Sequence, residues 1–367
     1  MKARKEGRFS LKLNAKSGTS QAGARALEQA MRQPAPETLP ARLYNDAAVY
    51  ETERREIFAR SWQLFAHESQ LPRPGDYFAT DYAGFPVVAV RGDDGAVRAF
   101  HNACRHRAGP LVEDGGGHCA GALVCRYHAW KYALDGRLAS ARDFGPAEDF
   151  DPRQFALFPL KADVWRGFVF VNLDTDARPV EEAIAPLERR MQTLSPERFR
   201  NPRISSHNIH CNWKTYVENY LEGYHIPVLH PMLASTIAAD YGTEIDPPAQ
   251  FYRATPKNDA PIAGLWAWTW PCLGVNVYAD GILMERMWPV AKDRTRLDYL
   301  FLFSEDADEA EIERQIAASL ITTKEDIEIC EAVQRNLDAG IYQSGRLSPK
   351  HEQGVAWFQK QVLRAIG

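Results

Sequence analysis

The sequence predicts an α+β chain in two parts, a small all-β unit followed by a larger mixed one. Between residues 76 and 172, short β-type runs are separated by turn signals, and two of those turns are Asp-Gly pairs flanked by alternating apolar residues. Beyond Leu173, strand-like runs alternate with helical stretches, the last of them long and charged. The 367 residues suit two domains of roughly the usual size, about 150 residues or somewhat more each.

Composition narrows the class. Hydrophobic residues make up 45% and charged residues 25%, which excludes a disordered or fibrous chain. The net charge of −4 offers no basic excess for nucleic acid, and no stretch approaches the ~20 apolar residues of a membrane span. Six cysteines are too few for a disulfide scaffold at this length, so a reducing, cytoplasmic setting is expected.

Each element has a local reason. Residues 1–25 carry seven basic side chains against one acidic, Glu6, and no apolar run. They read as a polar arm and not a secretory signal, although a transit peptide has a similar composition. Three prolines within residues 33–42 make an extended wrapping segment, and a short charged helix is expected over 47–59. VVAVRGDDGAVRAF forms a hairpin around Asp94-Gly95, KYALDGRLA a second around Asp135-Gly136, and residues 165–173 a buried strand. In the second part, helices are expected over 180–194 and from 213 to about 225, where Pro227 breaks the second. Strands follow near 203–210 and over 273–278, 282–289 and 296–303, then a helix from 308 to about 337. The expected division is an arm (1–44), a β domain (45–174) and an α+β domain (175–367).

Two groups of residues carry chemistry. Cys104-Arg105-His106 and Cys125-Arg126-Tyr127-His128 form C-x-H, eighteen intervening residues, then C-x-x-H. Thiolate favours soft metals and imidazole suits iron or zinc. A structural zinc site also uses two Cys and two His, but it pairs like with like. Here each loop offers one of each, the mixed set required by a 2Fe–2S cluster with cysteines on one iron and histidines on the other. His118 and Cys119 lie between the loops in a Gly-rich stretch that reads as a mobile loop, and His101 reads as a loop histidine.

The second group lies in NWKTYVENYLEGYHIPVLH. On a continuous helix Glu218, Glu222 and His225 share one face, and Pro227 would let His230 swing back beside His225. Two imidazoles and one carboxylate, with positions left open, make the facial triad of non-haem Fe(II) oxygenases. Spacing leaves the third ligand open among Glu325, Asp326, Glu328 and Glu331 in KEDIEICEAVQ. Cys211, Cys272 and Cys330 have no ligand-like spacing and read as small buried hydrophobes.

In combination the motifs resemble the Rieske non-haem iron oxygenases, the alpha subunits of the aromatic-ring-hydroxylating type. The residues concerned are C-x-H-R with a following Gly-Pro-Leu, C-x-Y-H-x-W with a Leu-Asp-Gly turn, and Glu-x-Tyr-His-x₄-His downstream. The likeness runs from about Asn45 to the C-terminus. The usual family pattern has Asp where Glu222 stands, and the group acting on quaternary ammonium compounds is known for Glu there.

The resemblance implies two cofactors, their ligands and an assembly. Cys104, His106, Cys125 and His128 would hold the cluster in an all-β Rieske domain. A helix-grip, START-like catalytic domain with a curved antiparallel sheet and a long C-terminal helix would hold Fe(II) through His225, His230 and, by the pattern Glu-Asp-x₄-Glu-x-Val-Gln, Asp326. Gln334 is expected near the same face. By the same resemblance the chains form a homotrimer, and Glu222 bridges His225 to His128 of the partner subunit.

The chain lacks a G-x-G-x-x-G in a βαβ setting and a plant-type ferredoxin spacing, so electrons from NAD(P)H require a separate flavin or iron–sulfur reductase. Trp266, Trp268 and Trp270 would share one strand face and, with Tyr278, Trp288 and Tyr299, line an aromatic pocket suited to a cation; the same residues also read simply as core. Glu285 and Asp298 are candidate counter-charges. With Glu222 these point to O₂-dependent hydroxylation or N-demethylation of a choline-, betaine- or carnitine-like substrate, the alternative being ring hydroxylation or O-demethylation of an aromatic compound.

Overall fold

The computed structural model describes residues 35–192, 199–236, 242–253, 265–278 and 281–367; the arm over 1–34 lies outside them. Two helices open the described chain, α1 (Arg42–Asn45) and α2 (Ala47–Glu56), and the Asp46 carboxylate caps α2 by accepting from the Ala48 amide. Strands β1 (Gln63–His67), β2 (Asp76–Tyr82), β3 (Phe85–Arg91), β4 (Val97–His101) and β5 (Gly115–His118) follow. After them come β6 (Ala122–Val124), β7 (Lys131–Ala133), β8 (Leu138–Ser140), β9 (Pro159–Trp165) and β10 (Phe168–Asn172). They form a seven-stranded sheet in the order β1-β10-β9-β4-β3-β2-β5 and a three-stranded sheet β6-β7-β8.

Both expected Asp-Gly hairpins are present, with Gly95 and Gly136 at φ 81° and 89°. Gly136 is needed twice over, because a Cβ there would lie 2.5 Å from the Phe100 ring. Residues 165–173 are not one strand. Arg166 and Gly167 take positive φ and fold β9 back onto β10. The glycines over 115–117 are not a loose loop either: they form β5 against β2, where the absence of side chains lets the Tyr77 ring lie over Gly117.

The second part runs α3 (Val180–Met191), β11 (Phe199–Ile209), α4 (Trp213–Tyr220), α5 (Ile226–Leu229), α6 (Pro231–Thr236), β12 (Gly242–Asp246), β13 (Ala249–Arg253), β14 (Leu265–Thr269), β15 (Leu273–Val277), β16 (Gly281–Ala291), β17 (Arg294–Ser304), α7 (Glu309–Asp338) and α8 (Gln353–Ile366). Its antiparallel sheet has the order β11-β17-β16-β15-β14-β13-β12. One face packs Leu283, Met287, Leu297 and Phe301 in a core shared with Trp213 and Val217 of α4 and Phe358 and Val362 of α8. The other packs Met284, Leu300 and Val275 with Ile184 and Leu187 of α3 and with Phe168 and Phe170 of β10. Helices α4 and α8 thus cover one face of the sheet, while α3 and the β-rich part cover the other. The architecture is α+β, as the sequence predicts.

Long-range ties hold the N-terminal segment to this frame. Leu347 and Thr38 amides donate to the Pro36 and Gly345 carbonyls, so the proline-rich segment wraps the C-terminal region. Glu53 of α2 accepts from Lys214 Nζ at 2.6 Å and from the Trp213 indole at 2.8 Å, all inside the core. Among the described residues, no helix is long and apolar enough to cross a membrane.

Candidate metal centres

Two loops of matching design carry the first constellation. Cys104 N donates to Gly109 O and Ala108 N to Cys104 O; Cys125 N donates to Trp130 O and Ala129 N to Cys125 O. Ala108 and Ala129 close the two turns at φ 54° and 57°. Both thiols are buried, and burial together with the neighbouring Cys104 thiol raises the pKa of Cys125. Tyr132 Oη lies 3.2 Å from Cys104 Sγ and accepts the Arg105 amide at 3.0 Å. The His106 and His128 rings stand 4.6 Å apart, with His106 stacked on Trp130 at 4.9 Å.

The Nδ1 atoms of His106 and His128 are both buried without a hydrogen-bond partner. A buried orphan nitrogen is costly unless something binds it. Two such atoms beside two buried thiols fit a 2Fe–2S cluster with mixed ligation. His118 and Cys119 face elsewhere, towards Asp76 and the Gly75 carbonyl.

The second constellation gathers His225, His230 and Asp326, each offering one ligand atom, all within 4.8 Å of one another. His230 Nε2 is 3.0 Å and His225 Nε2 3.7 Å from Asp326 Oδ1. The opposite nitrogens are occupied: His225 Nδ1 lies 2.5 Å from Glu222 Oε1, and His230 Nδ1 2.7 Å from Glu325 Oε2. Carboxylates on Nδ1 fix each ring so that Nε2 faces the gap, the usual support for a metal-binding imidazole. Burial alone would lower the His230 pKa, but Asp326 and Glu325 outweigh it and raise the pKa. Asn219 Nδ2 donates to Asp326 Oδ1 at 2.7 Å. Two imidazoles and a carboxylate fit non-haem iron.

Several expectations need correction. Helix α4 ends at Tyr220, so Glu218, Glu222 and His225 do not share a helix face. The Glu222 carboxylate accepts the amides of Tyr224 and His225, and this local bond competes with helix continuation. Glu218 points away to Tyr44 and Gln359. Gln334 accepts the Asn212 amide and donates to Asp338. The alternative reading of the tryptophans as core holds for Trp268, which packs on Trp357 and Phe358, and for Trp288, which sits against Phe65 and Tyr82 between the two sheets, while Trp270 lies beyond the end of β14. Asp298 is paired with Arg286 and Arg296.

Sequence reasoning missed Asn219, Tyr132 and Tyr216. Tyr216 Oη donates to Glu285 Oε1 at 3.0 Å and lies 3.3 Å from Tyr299 Oη, which accepts from Thr323 Oγ1 at 2.7 Å.

Known proteins give the same picture. The profile of the Rieske 2Fe-2S domain matches residues 61–151, and that of the ring hydroxylating alpha subunit catalytic domain matches 196–256 and 252–367. The carnitine monooxygenase oxygenase subunit of Escherichia coli is 32% identical over 355 residues, covering 90% of this chain and 94% of its own length. The chloroplastic choline monooxygenase of Spinacia oleracea is 30% identical, covering 89% of this chain and 78% of its own. Among solved structures, the quaternary ammonium Rieske monooxygenase CntA in complex with L-carnitine superposes with a TM-score of 0.82 at 29% identity, covering 92% of this chain and 98% of its own. Naphthalene 1,2-dioxygenase with indole bound shares the fold at a TM-score of 0.74 and 18% identity, over 89% of this chain and 91% of its own.

Proposed function

Because the chain belongs to the Rieske non-haem iron oxygenases as an oxygenase (alpha) subunit, we propose that it hydroxylates or N-demethylates a small quaternary ammonium compound at an iron held by His225, His230 and Asp326. The observation that carries this reading is the convergence of those three ligand atoms. The carnitine and choline monooxygenases among its relatives, and Glu at position 222, support the substrate class.

When bound, the 2Fe–2S cluster supplies single electrons and the mononuclear iron supplies dioxygen activation. We assign the cluster to Cys104, His106, Cys125 and His128 on their orphan nitrogens and buried thiols. Glu222 and Glu325 keep both Nε2 atoms aimed at the iron position, and Asn219 restrains Asp326. Residues 45–174 form the Rieske domain and 175–367 the catalytic domain in this reading, with 1–44 as an arm.

Electrons come from NAD(P)H through a separate reductase, and six unbridged cysteines suit a reducing cytoplasm. Among the described residues, no hydrogen bond or ring contact links His106 or His128 to His225 or Glu222. On the family resemblance, we give Glu222 the bridge to His128 of the partner subunit in a homotrimer. Tyr224 and Val228, 57% and 86% exposed beside it, offer an apolar surface for that contact.

With a reductase supplying electrons, O₂ uptake should couple to product for choline, betaine or carnitine and not for benzoates. Coupled turnover of a benzoate alone would overturn the substrate class.

A further inference from the structure

The turn that carries Glu222 has no helical ladder to stiffen it. Helix α4 ends at Tyr220 and α5 begins at Ile226, so residues 221–225 cross between them as irregular backbone. The Glu222 carboxylate bonds to this same turn, at the Tyr224 and His225 amides and at His225 Nδ1. It is therefore as steady as the turn, and the turn needs a brace from elsewhere.

Tyr224 supplies the point of contact. Its ring lies flat on the His351 imidazole, 4.6 Å away and 11° from parallel. His351 belongs to a well-fastened segment. Its amide donates to Ser348 Oγ at 3.2 Å, and the Glu352 amide donates to the Ser348 carbonyl at 3.0 Å, where α8 begins. Leu347, which is buried, donates its amide to the Pro36 carbonyl, and α8 is packed in the core through Phe358 and Val362. Glu352 comes close enough to Glu222 for the two charges to interact. An irregular turn thus leans on an anchored one through a pair of rings.

We propose that His351 is a positioning residue: through Tyr224 it holds residues 222–225 in place and so keeps the Glu222 carboxylate on His225 Nδ1. This rests on the reading of Glu222 as the bridge between the two iron centres. Stacked rings gain more than the area they bury, and a flat ring can take the place of imidazole. A branched aliphatic side chain fills the same space without a flat face. Ala, Leu and Phe at position 351 therefore separate stacking from packing. His351 is half-buried and lies outside the core, so the fold tolerates all three.

The test is hydrogen exchange of the Tyr224 and His225 amides in the full-length protein, with the cluster loaded and the mononuclear iron removed by a chelator. In His351→Ala and His351→Leu both amides should exchange about three- to tenfold faster than in the wild type, and His351→Phe should restore their protection. A second measurement follows reoxidation of the reduced cluster by O₂ and choline in the fully loaded protein. It should slow by the same factor in the Ala and Leu variants, while the half-saturating choline concentration, iron content and sedimentation stay as in the wild type. Wild-type exchange in His351→Ala, or full protection in His351→Leu, overturns the proposal and leaves Glu222 as the bridge. A changed sedimentation coefficient also overturns it, because His351 would then act at an interface. Reoxidation at the wild-type rate in Glu222→Ala overturns the bridge reading and the effect on electron transfer with it, while the exchange rates still decide whether His351 holds the turn.

Discussion

At the residue scale, four histidines divide by which ring nitrogen is already engaged. In His225 and His230, Nδ1 faces a carboxylate and Nε2 faces the gap; in His106 and His128, Nδ1 is buried and unmatched. Glu325→Ala should weaken iron retention by roughly 10–100-fold, measured by metal competition, because an outer carboxylate orients its histidine. Unchanged retention would mean that Glu325 does not position His230. Glu222→Ala should leave a reducible cluster and abolish single-turnover product; a wild-type yield would remove Glu222 from the electron path. The Cys and His spacings were legible because ligand identity is written locally. Asn219 reaches Asp326 across 107 positions, and no local pattern encodes a bond of that span.

At the scale of elements, α2 is fastened to α4 by a buried ion pair. Burial lowers the Lys214 pKa, and Glu53 works against that shift. Glu53→Ala should cost about 3–5 kcal/mol in denaturant unfolding, since it strands a charge in the core, while a Leu–Met pair at Glu53 and Lys214 should come close to neutral. A small loss from the single change would show that Lys214 finds water or another partner. The strands of the second sheet were legible only as apolar runs, since nine consecutive residues of β16 from Gly281 are buried and alternation disappears when both faces are covered. The end of α4 escaped periodicity because a side chain, Glu222, supplies the competing bonds.

At the scale of the whole molecule, Glu218 lies where α1, α4 and α8 meet. Burial lifts its pKa to about 7; Gln359, Tyr44 and Lys214 moderate the rise. A raised carboxyl pKa means that the folded state holds its proton more tightly than the unfolded chain. The stabilisation is therefore complete below about pH 4.5 and lost as pH rises to about 7, a fall of about 3 kcal/mol. Glu218→Gln should flatten that slope in unfolding experiments across the same range, and an unaltered slope would assign it to another group. Whether Trp268 and Trp288 line a pocket or a core depended on which unit covers each sheet face, a property of assembly that residue pattern does not carry. The central claim is that one chain carries two separate iron centres on these ligands. Iron and acid-labile sulfide counted per chain test it most directly: about three iron and two sulfide in the wild type, about two of each in His225→Ala with the cluster spectrum intact. Three irons retained in His225→Ala would contradict it.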